Sequence, residues 1–344
     1  MQIRVSAIAS AIVAILLAPH TAAGADWSTL APMAIARQEV AVAALEGFVY
    51  VIGGFDGTAA VRNTVERYDP GTDRWTTVSP LPVVIHHATA AVVDGRLYVI
   101  GGWSDFFATA LDDVYEYDPG TDSWSAKTDM PTARGSPAAA AVGGKIYVAG
   151  GWNAGVVDDF AAYDPVTDGW TVLTPMPTAR NHLGAAGVDG KYYAVGGRTD
   201  LGAGAGNVAT VEIYDPVAAI WGGTASLPRP RGGLAVAATA GLVFALGGEG
   251  NDEEPTGVFP DVDAYDPIAD AWTPRTDMPT ARHGIGAAVI TGRIHVPGGG
   301  PVEGFGVTTV HEVFDATPSV PALSVLCGGI LAAVLAGSAL RRIR

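Results

Sequence analysis

Six equivalent positions in the sequence carry the residue types best suited to chemistry. Each lies 14 residues before a Gly-Gly pair, and together they hold Glu39, His87, Ser136, His182, Gly233 and Gly284. A carboxylate beside an imidazole can act as a general acid and base, for which Glu39 with His87 or His182 would serve. The same side chains can hold a ligand by hydrogen bonds. The alternative is that they are the solvated polar ends of strands.

Two residues earlier in each copy, the sequence is nearly constant. Sixteen residues before the Gly-Gly pair stand Arg37, Arg134, Arg180, Arg231 and Arg282, with Ile85 in the second copy. A guanidinium fork can satisfy several loop carbonyls at once, so we predict a structural role for these arginines. A position that varies between copies, beside one that is nearly constant, is typical of a functional surface on a repeated scaffold. This pattern favours ligand binding by Glu39, His87, Ser136 and His182.

The segments that follow the Gly-Gly pairs hold a second set of candidates. Trp103, Trp152 and Arg198 begin three of these segments, and Phe106 and Phe107 come soon after Trp103. Exposed aromatic rings beside polar groups suit sugar rings or a protein partner. We therefore predict that Trp103, Trp152 and Arg198 contribute to ligand binding. The alternative is that these long segments pack on each other.

Signatures of metal binding and catalysis are sparse. The acidic segment 249–254 offers oxygen ligands for calcium, but it lacks the spacing of a calcium loop, so a solvated loop is favoured. The sequence contains no Gly-x-Ser-x-Gly elbow, no His-Glu-x-x-His motif and no phosphate-binding loop. We predict neither a metal nor a cofactor, and the sequence favours a protein without catalytic activity.

A repeat supplies the elements that must position these residues. The Gly-Gly pairs lie 46 to 51 residues apart, at Gly53-Gly54, Gly101-Gly102, Gly150-Gly151, Gly196-Gly197, Gly247-Gly248 and Gly298-Gly299. A fixed period of this size indicates a repeat architecture. A further glycine stands six residues before each pair, between two apolar runs, which predicts a β-hairpin with a two-residue turn.

Tryptophans mark the end of each copy and the point at which the repeat closes. Trp75, Trp124, Trp170, Trp221 and Trp272 each follow a tyrosine by seven residues, and we predict that these rings pack between neighbouring sheets. The sixth copy has no such residue, but Trp27 stands one repeat length before Trp75. We therefore predict that the strand carrying Trp27 completes the last of six four-stranded sheets, which gives a closed, all-β propeller.

The six Gly-Gly pairs and the Tyr-to-Trp spacing resemble those of Kelch-repeat proteins over roughly residues 26–316. The resemblance implies a six-bladed Kelch-type β-propeller. It also implies that Glu39, His87, Ser136 and His182 lie at the mouth of the central channel, where some Kelch propellers hold a peptide. Some Kelch-type proteins are copper-radical oxidases, which need a Tyr–Cys crosslink. The only cysteine here, Cys327, lies in the C-terminal tail, so the sequence excludes this chemistry. A similarity to periplasmic sialic-acid mutarotases implies the enzymatic alternative, a carbohydrate mutarotase or epimerase.

The two ends of the chain predict export. Residues 1–25 have a basic start, an apolar run and an Ala23-Gly24-Ala25 cleavage site, as in a signal peptide. Residues 317–344 combine a Pro-containing motif, an apolar stretch at 325–340 and an arginine cluster. This layout resembles PEP-CTERM-like sorting signals, which exosortase-type enzymes process in Gram-negative bacteria. We predict a transient or stable membrane anchor through 325–340; a buried final helix is the alternative.

Charge and organisation narrow the function. Acidic residues outnumber basic ones by 35 to 20, for a net charge of −15, which disfavours a nucleic acid partner. We predict a signal peptide at 1–25, a propeller at 26–316 and a sorting tail at 317–344. The predicted function is non-catalytic binding of a protein or polysaccharide, in the periplasm, at the outer surface or outside the cell.

Overall fold

The computed structural model describes residues 26–316, except for 201 and 203–205. The described chain starts with β1 (Trp27–Thr29) and β2 (Arg37–Gln38), and six antiparallel four-stranded sheets, called blades 1 to 6, follow one another. Blades 1 to 3 are, from the inner strand outwards, β3 (Ala41–Leu45), β4 (Phe48–Ile52), β6 (Val65–Asp69) and β7 (Arg74–Val78); β8 (Thr89–Val93), β9 (Arg96–Ile100), β10 (Val114–Asp118) and β11 (Ser123–Ala126); and β12 (Ala138–Val142), β13 (Lys145–Ala149), β14 (Phe160–Asp164) and β15 (Gly169–Val172).

The remaining blades have the same layout. Blades 4 to 6 are β16 (Gly184–Val188), β17 (Lys191–Val195), β18 (Val211–Asp215) and β19 (Ile220–Gly223); β20 (Ala235–Thr239), β21 (Leu242–Leu246), β24 (Val262–Asp266) and β25 (Ala271–Pro274); and β26 (Ala288–Ile290), β27 (Arg293–Pro297), β28 (His311–Asp315) and β1. Two short ribbons lie outside the blades: β2 pairs with β5 (Phe55–Asp56), and β22 (Glu249–Asn251) pairs with β23 (Gly257–Val258).

The ring closes between the two ends of the described chain. Strand β1 pairs antiparallel with β28, and Trp27 lies opposite Phe314 in that register. Each inner strand contacts the inner strands of the two neighbouring blades, and β26 of blade 6 contacts β3 of blade 1. The predicted six-bladed propeller, closed by the strand that carries Trp27, is therefore confirmed. Closure leaves no blade edge open at this seam.

Tight turns connect the two inner strands of each blade. In blade 1, Glu46 has φ 51° and Gly47 has φ 82°, and the equivalent pairs in the other blades share this conformation. Two consecutive residues with positive φ define the hairpin turn whose twist matches that of the strands. The hairpins predicted from the glycine spacing are confirmed.

The outer strands are tied to the preceding segment by side chains of the Tyr…Trp motif. The Trp75 indole N–H donates to the Ala31 carbonyl at 2.8 Å, and the Asp73 carboxylate accepts from both the Tyr68 hydroxyl and the Ala31 amide. The indoles of five more blades donate at 2.9 Å to carbonyls one blade earlier, namely Trp27 to Thr276, Trp124 to Ser79, Trp170 to Thr128, Trp221 to Thr174 and Trp272 to Ala225.

In five of the six blades, a buried arginine connects the blade to its loops. Arg37 donates to the carbonyl of Gly53 at 2.6 Å and to the Glu66 carboxylate at 2.7 Å, with both side chains buried. Three further blades contain the same ion pair at 2.7 to 2.8 Å: Arg180–Glu212, Arg231–Asp263 and Arg282–Glu312. In blade 3 the position of Glu66 is taken by Ala161, and Arg134 donates instead to the Asp159 carbonyl at 2.6 Å.

The described part of the chain contains no helix long and apolar enough to span a membrane. The predicted signal peptide at 1–25 and the predicted sorting tail at 317–344, including the apolar stretch 325–340, lie outside the described residues. Both remain predictions.

Candidate functional site at the channel mouth

A closed cycle of backbone hydrogen bonds joins the six blades around the channel. It runs through the inner ring, which consists of Glu39, His87, Ser136, His182, Gly233 and Gly284. Each amide N–H of the inner ring donates to the inner-ring carbonyl of the preceding blade, at 2.8 to 3.2 Å. All six residues have φ between 51° and 64°, a left-handed conformation that glycine adopts most easily. Four side-chain-bearing residues are thus held in a strained conformation, as is common at ligand sites.

Three residues of the inner ring, Glu39, His87 and His182, form the floor of a cavity of about 380 Å³, called the mouth cavity. Its lining comprises Gln38, Glu39, Phe55, His87, Phe106, Phe107, His182, Arg198, Glu249, Gly304 and Phe305. Below the inner ring, the channel is lined mainly by alanine, valine and glycine of the six inner strands. The polar groups of the channel axis are therefore concentrated at the mouth.

Glu39 is the acidic group of the floor. Its Oε2 lies 3.1 Å from His87 Nε2, and its Oε1 lies 3.7 Å from His283 Nδ1. Burial and the nearby Glu249 carboxylate raise the pKa of Glu39 to about 8, although the positive charge of Arg198 acts in the opposite direction. The Glu39 carboxyl group therefore carries a proton at neutral pH and can donate it to His87.

A chain of hydrogen bonds fixes the tautomer of His87. His86 Nε2 lies 2.5 Å from the Asp105 carbonyl oxygen, which can only accept, so Nε2 carries the proton of His86. His86 Nδ1 then accepts from His87 Nδ1 at 2.5 Å. Burial lowers the pKa of His86 to about 4 and that of His87 well below its usual value, which keeps both rings neutral. The lone pair of His87 is consequently on Nε2, which faces Glu39.

The tautomer of His182 is fixed in the same way. The Asn181 amide nitrogen donates to the carbonyls of Arg198 and Asp200, at 3.3 and 3.0 Å, which leaves its oxygen as the acceptor. His182 Nδ1 donates to that oxygen. His182 Nε2 therefore carries the lone pair and lies 3.4 Å from the hydroxyl of Ser136. Burial lowers the pKa of His182 well below its usual value.

A buried ion pair forms one wall of the cavity. Arg198 Nη2 donates to Glu249 Oε1 at 2.8 Å, and both residues are 2% exposed. The second oxygen of Glu249 accepts from the Gly304 amide at 3.0 Å and lies 3.3 Å from His283 Nδ1. The pair joins blades 4 and 5 at the mouth, and Arg198 Nη1 donates to the Gly202 carbonyl at 3.0 Å, whereas its buried Nε has no hydrogen-bond partner.

Four phenylalanines form the rim. Phe55 lies between Phe106, Phe107 and Phe305, with ring centroids 5.9, 6.2 and 6.4 Å away. Phe106 is 72% exposed and Phe305 is 47% exposed, whereas Phe55 is buried. Phe107 has φ 68°, an unusual conformation for a bulky residue. The mouth cavity therefore has a polar floor below an apolar, partly exposed rim.

The structure brings together some of the predicted ligand residues and separates others. Glu39, His87, His182 and Arg198 line the mouth cavity, and Ser136 lies in the inner ring beside His182. Trp103 and Trp152 do not line it. The expectation that Trp103 is an exposed ring is wrong, because it is 1% exposed and stacks on His86 at 5.7 Å. For Trp103 the alternative, packing within the loops, is the correct one.

Segment 249–254 also differs from the expected solvated loop. Glu249 and Asn251 are 2% and 1% exposed, and only the residues after Asn251 face solvent. Sequence reasoning did not identify Glu249 as the partner of Arg198. The signal was available, because both residues directly follow a Gly-Gly pair in consecutive copies and carry opposite charges.

The architecture and the repeat sequence define the class: the described chain is a six-bladed β-propeller with Kelch repeats. A family model described as the KLHDC2/KLHL20/DRC7 Kelch-repeats domain matches residues 19–176, and a Kelch motif model matches residues 230–279. The solved structure of YjhT is similar in fold, with a TM-score of 0.69 over 82% of this chain and 95% of that one, at 18% identity.

Similar curated proteins match only part of the chain. Kelch-like protein terF of Aspergillus terreus is 41% identical over 116 residues, 33% of this chain and 25% of that protein. Kelch-like ECH-associated protein 1B of Danio rerio is 33% identical over 93 residues, 27% of this chain and 16% of that protein. The chain thus spans a quarter or less of these relatives.

Proposed function

We propose that the chain is an exported binding propeller that holds a partner protein at the mouth cavity. The observation that carries this proposal is the combination, in one cavity of about 380 Å³, of a buried polar floor and a partly exposed phenylalanine rim. Aromatic residues are enriched in protein interfaces, where they frequently serve as anchors. One relative, Kelch-like ECH-associated protein 1B of Danio rerio, is named for its association with ECH.

The floor selects the chemistry of the group that enters. His182 Nε2 and the oxygens of Glu39 can accept hydrogen bonds, whereas the guanidinium of Arg198 is already held by Glu249. A side chain with N–H or O–H donors and an apolar stem therefore fits best, with its stem against Phe106 and Phe305. A polysaccharide unit has the same combination of donors and apolar faces and is the other ligand class to test.

The proposal includes the location of the protein. Residues 1–25 would be removed on export, and residues 325–340 would hold the chain at the membrane until a sorting enzyme acts on the tail. Deleting residues 317–344 should release the protein into the medium. Unchanged retention at the cell would contradict the anchor.

A capture experiment tests the mouth cavity. The full chain is used to capture material from the envelope of the cells that produce it, beside Phe106→Ala and Phe305→Ala variants. Val217→Ala is the matched control, because Val217 is 96% exposed in a turn of blade 4, away from the mouth. We expect both phenylalanine variants to lose most of the captured material and the control to retain it. Equal capture by all four proteins would overturn the site.

The nature of the captured material separates the two ligand classes. Loss after proteinase treatment supports a protein ligand. Loss after periodate treatment, with survival of proteinase treatment, would replace it by a polysaccharide.

The second candidate function is a carbohydrate mutarotase or epimerase. The contact of 3.1 Å between Glu39 Oε2 and His87 Nε2 favours it, because it joins a carboxyl group and an imidazole inside a cavity of the size of a sugar. Exchange of sugar anomers, followed by NMR with the full chain, tests this function. Acceleration that disappears in Glu39→Gln supports the enzyme, and a rate equal to that of buffer removes it.

A further inference from the structure

Three side chains from three blades converge at the floor of the mouth cavity. Glu39, His87 and His182 each direct one ligand-type atom to the same place, and these atoms lie within 4.8 Å of one another. Glu39 Oε2 and His87 Nε2 are 3.1 Å apart. Two ligands of one zinc ion lie about 3.3 Å apart when each bond is about 2.0–2.1 Å long, so small rotations of these side chains would complete a site.

Both imidazoles are prepared for coordination by the residues behind them. His87 Nδ1 donates to His86, which in turn donates to the Asp105 carbonyl, and His182 Nδ1 donates to the Asn181 amide oxygen. Each ring therefore presents the lone pair of Nε2 to the cavity. Metal-binding histidines generally have their second nitrogen bonded in this way, which fixes the tautomer and the orientation of the ring.

We propose that Glu39, His87 and His182 form a binding site for a divalent transition-metal ion. Two imidazoles and one carboxylate suit Zn²⁺ or Fe²⁺ better than Ca²⁺ or Mg²⁺, which prefer shells of oxygen atoms. The ion would keep open coordination positions, since these three groups supply one atom each and the cavity continues above them. The Ser136 hydroxyl, 3.4 Å from His182 Nε2, lies beside these positions.

This ligand set was not predicted from the sequence, because the three residues are separated by whole repeats and follow no metal-binding motif. The inner ring brings them together by placing one residue of each blade around a single axis. The inference does not depend on the proposed partner. Metal binding is measured without any partner, and failure of either proposal leaves the other standing.

Calorimetric titration of the tag-free full chain, after removal of metals with a chelator, tests the site. We expect one Zn²⁺ per chain, and one Co²⁺ with a visible absorption band that reports nitrogen and oxygen ligands. Glu39→Gln should weaken binding at least 10-fold, and His87→Gly or His182→Gly at least 100-fold. Glycine is the appropriate substitution, because Gly233 and Gly284 already occupy the inner ring with the same positive φ.

A double variant of blade 6, His295→Phe with His311→Val, is the matched control. It removes two buried imidazoles that lie 3.1 Å from each other but do not line the mouth cavity. It should bind Zn²⁺ as tightly as the wild-type chain. The proposal is overturned if the wild-type chain binds neither ion, if the glycine variants bind with wild-type affinity, or if Ca²⁺ displaces Zn²⁺.

Discussion

Two positions that lie two residues apart in every blade have opposite roles in this propeller. The earlier position holds arginine in five of six blades, with each guanidinium buried among loop carbonyls of its own blade. The later position, the inner ring, holds four different residue types, namely glutamate, histidine, serine and glycine, and faces the axis. The arginines hold their blades through side-chain hydrogen bonds, whereas the cycle that joins the inner ring is made by backbone groups.

This difference explains why one position is copied and the other varies. Changing an arginine changes several hydrogen bonds of its blade at once, as in Arg37, which reaches the Gly53 carbonyl and Glu66. The inner ring is joined through backbone N–H and C=O groups, which every residue type here supplies. Its side chains are therefore free to differ between blades, and function can use them.

The largest expected effect comes from breaking an arginine pair. Glu212→Ala would leave the Arg180 guanidinium buried without its carboxylate, which lies at 2.7 Å in the wild-type chain. We expect the free energy of unfolding to fall by about 3–5 kcal/mol, measured by urea denaturation. Binding at the mouth should remain, because this pair does not line the cavity.

Blade 2 supplies the control for that variant. It carries Ile85 and Tyr115 at the positions of Arg180 and Glu212. The double variant Arg180→Ile with Glu212→Tyr leaves no buried charge unpaired, so it should lose less stability than Glu212→Ala. A larger loss in the double variant would show that the hydrogen bonds to carbonyls, and not the charge pair, hold the blade.

The second largest expected effect is a pH dependence of the unfolding free energy, which comes from histidines that pack inside a blade and do not face the mouth cavity. His295 and His311 of blade 6 lie 3.1 Å apart, against the rings of Tyr68 and Trp75. Burial, with Arg293 nearby, lowers the pKa of His295 to about 4. Burial, His295 and Arg282 lower the pKa of His311 to about 3, although the Ala31 carbonyl and Asp73 act in the opposite direction.

The pH dependence follows from the direction of these shifts. The unfolded chain takes up protons near pH 6.5, whereas the folded pair does so only near pH 4 and pH 3. The unfolding free energy should therefore fall as the pH drops below 6.5, by about 1.4 kcal/mol per pH unit for each imidazole. The double variant His295→Phe with His311→Val restores the residue types of blade 5, where Phe244 and Val262 stand.

Urea denaturation at pH 7.5, 6.0 and 5.0 measures this contribution. Between pH 6 and pH 5 the wild-type chain should lose about 2.4 kcal/mol more than the double variant, slightly less than the limit of one full proton for each of the two rings. Parallel pH profiles of the two proteins would contradict the linkage to this pair.

Most of the fold could be predicted from the sequence, because a propeller repeats its packing and each copy reports on the others. The position of Trp27 one repeat before Trp75 was sufficient to predict how the ring closes. The histidines of blade 6 also follow this logic. They replace phenylalanine, tyrosine or valine of the other blades, which indicates packing.

The candidate site was predictable only in part. The repeat indicated that Glu39, His87 and His182 share one position, but it contained no information on distances across the axis. The pair of Arg198 with Glu249 joins different blades, where the spacing within one copy has no influence. Trp103 is buried between His86 of its own blade and Gly135 of the next blade. Gly233 and Gly284 could have been used to predict the backbone of the inner ring, because glycine adopts positive φ most easily and all six residues of the inner ring have positive φ.

The smallest expected change in unfolding free energy comes from a substitution in the inner ring, and it tests whether the side chains there can vary without loss of stability. Ser136 has φ 51°, and its hydroxyl contacts His182 at 3.4 Å without entering the set of Glu39, His87 and His182. Ser136→Gly removes a left-handed strain of about 1–2 kcal/mol from the folded chain. It also adds about 0.4–1 kcal/mol of conformational entropy to the unfolded chain.

These two terms have opposite signs, so the unfolding free energy should change by less than about 2 kcal/mol. The same urea experiment measures it beside Glu212→Ala. Backbone hydrogen bonds of the inner ring persist in the glycine variant, because Gly233 and Gly284 already make them. A loss as large as that of Glu212→Ala would mean that the side chains of the inner ring support the fold, and the contrast between the two positions would disappear.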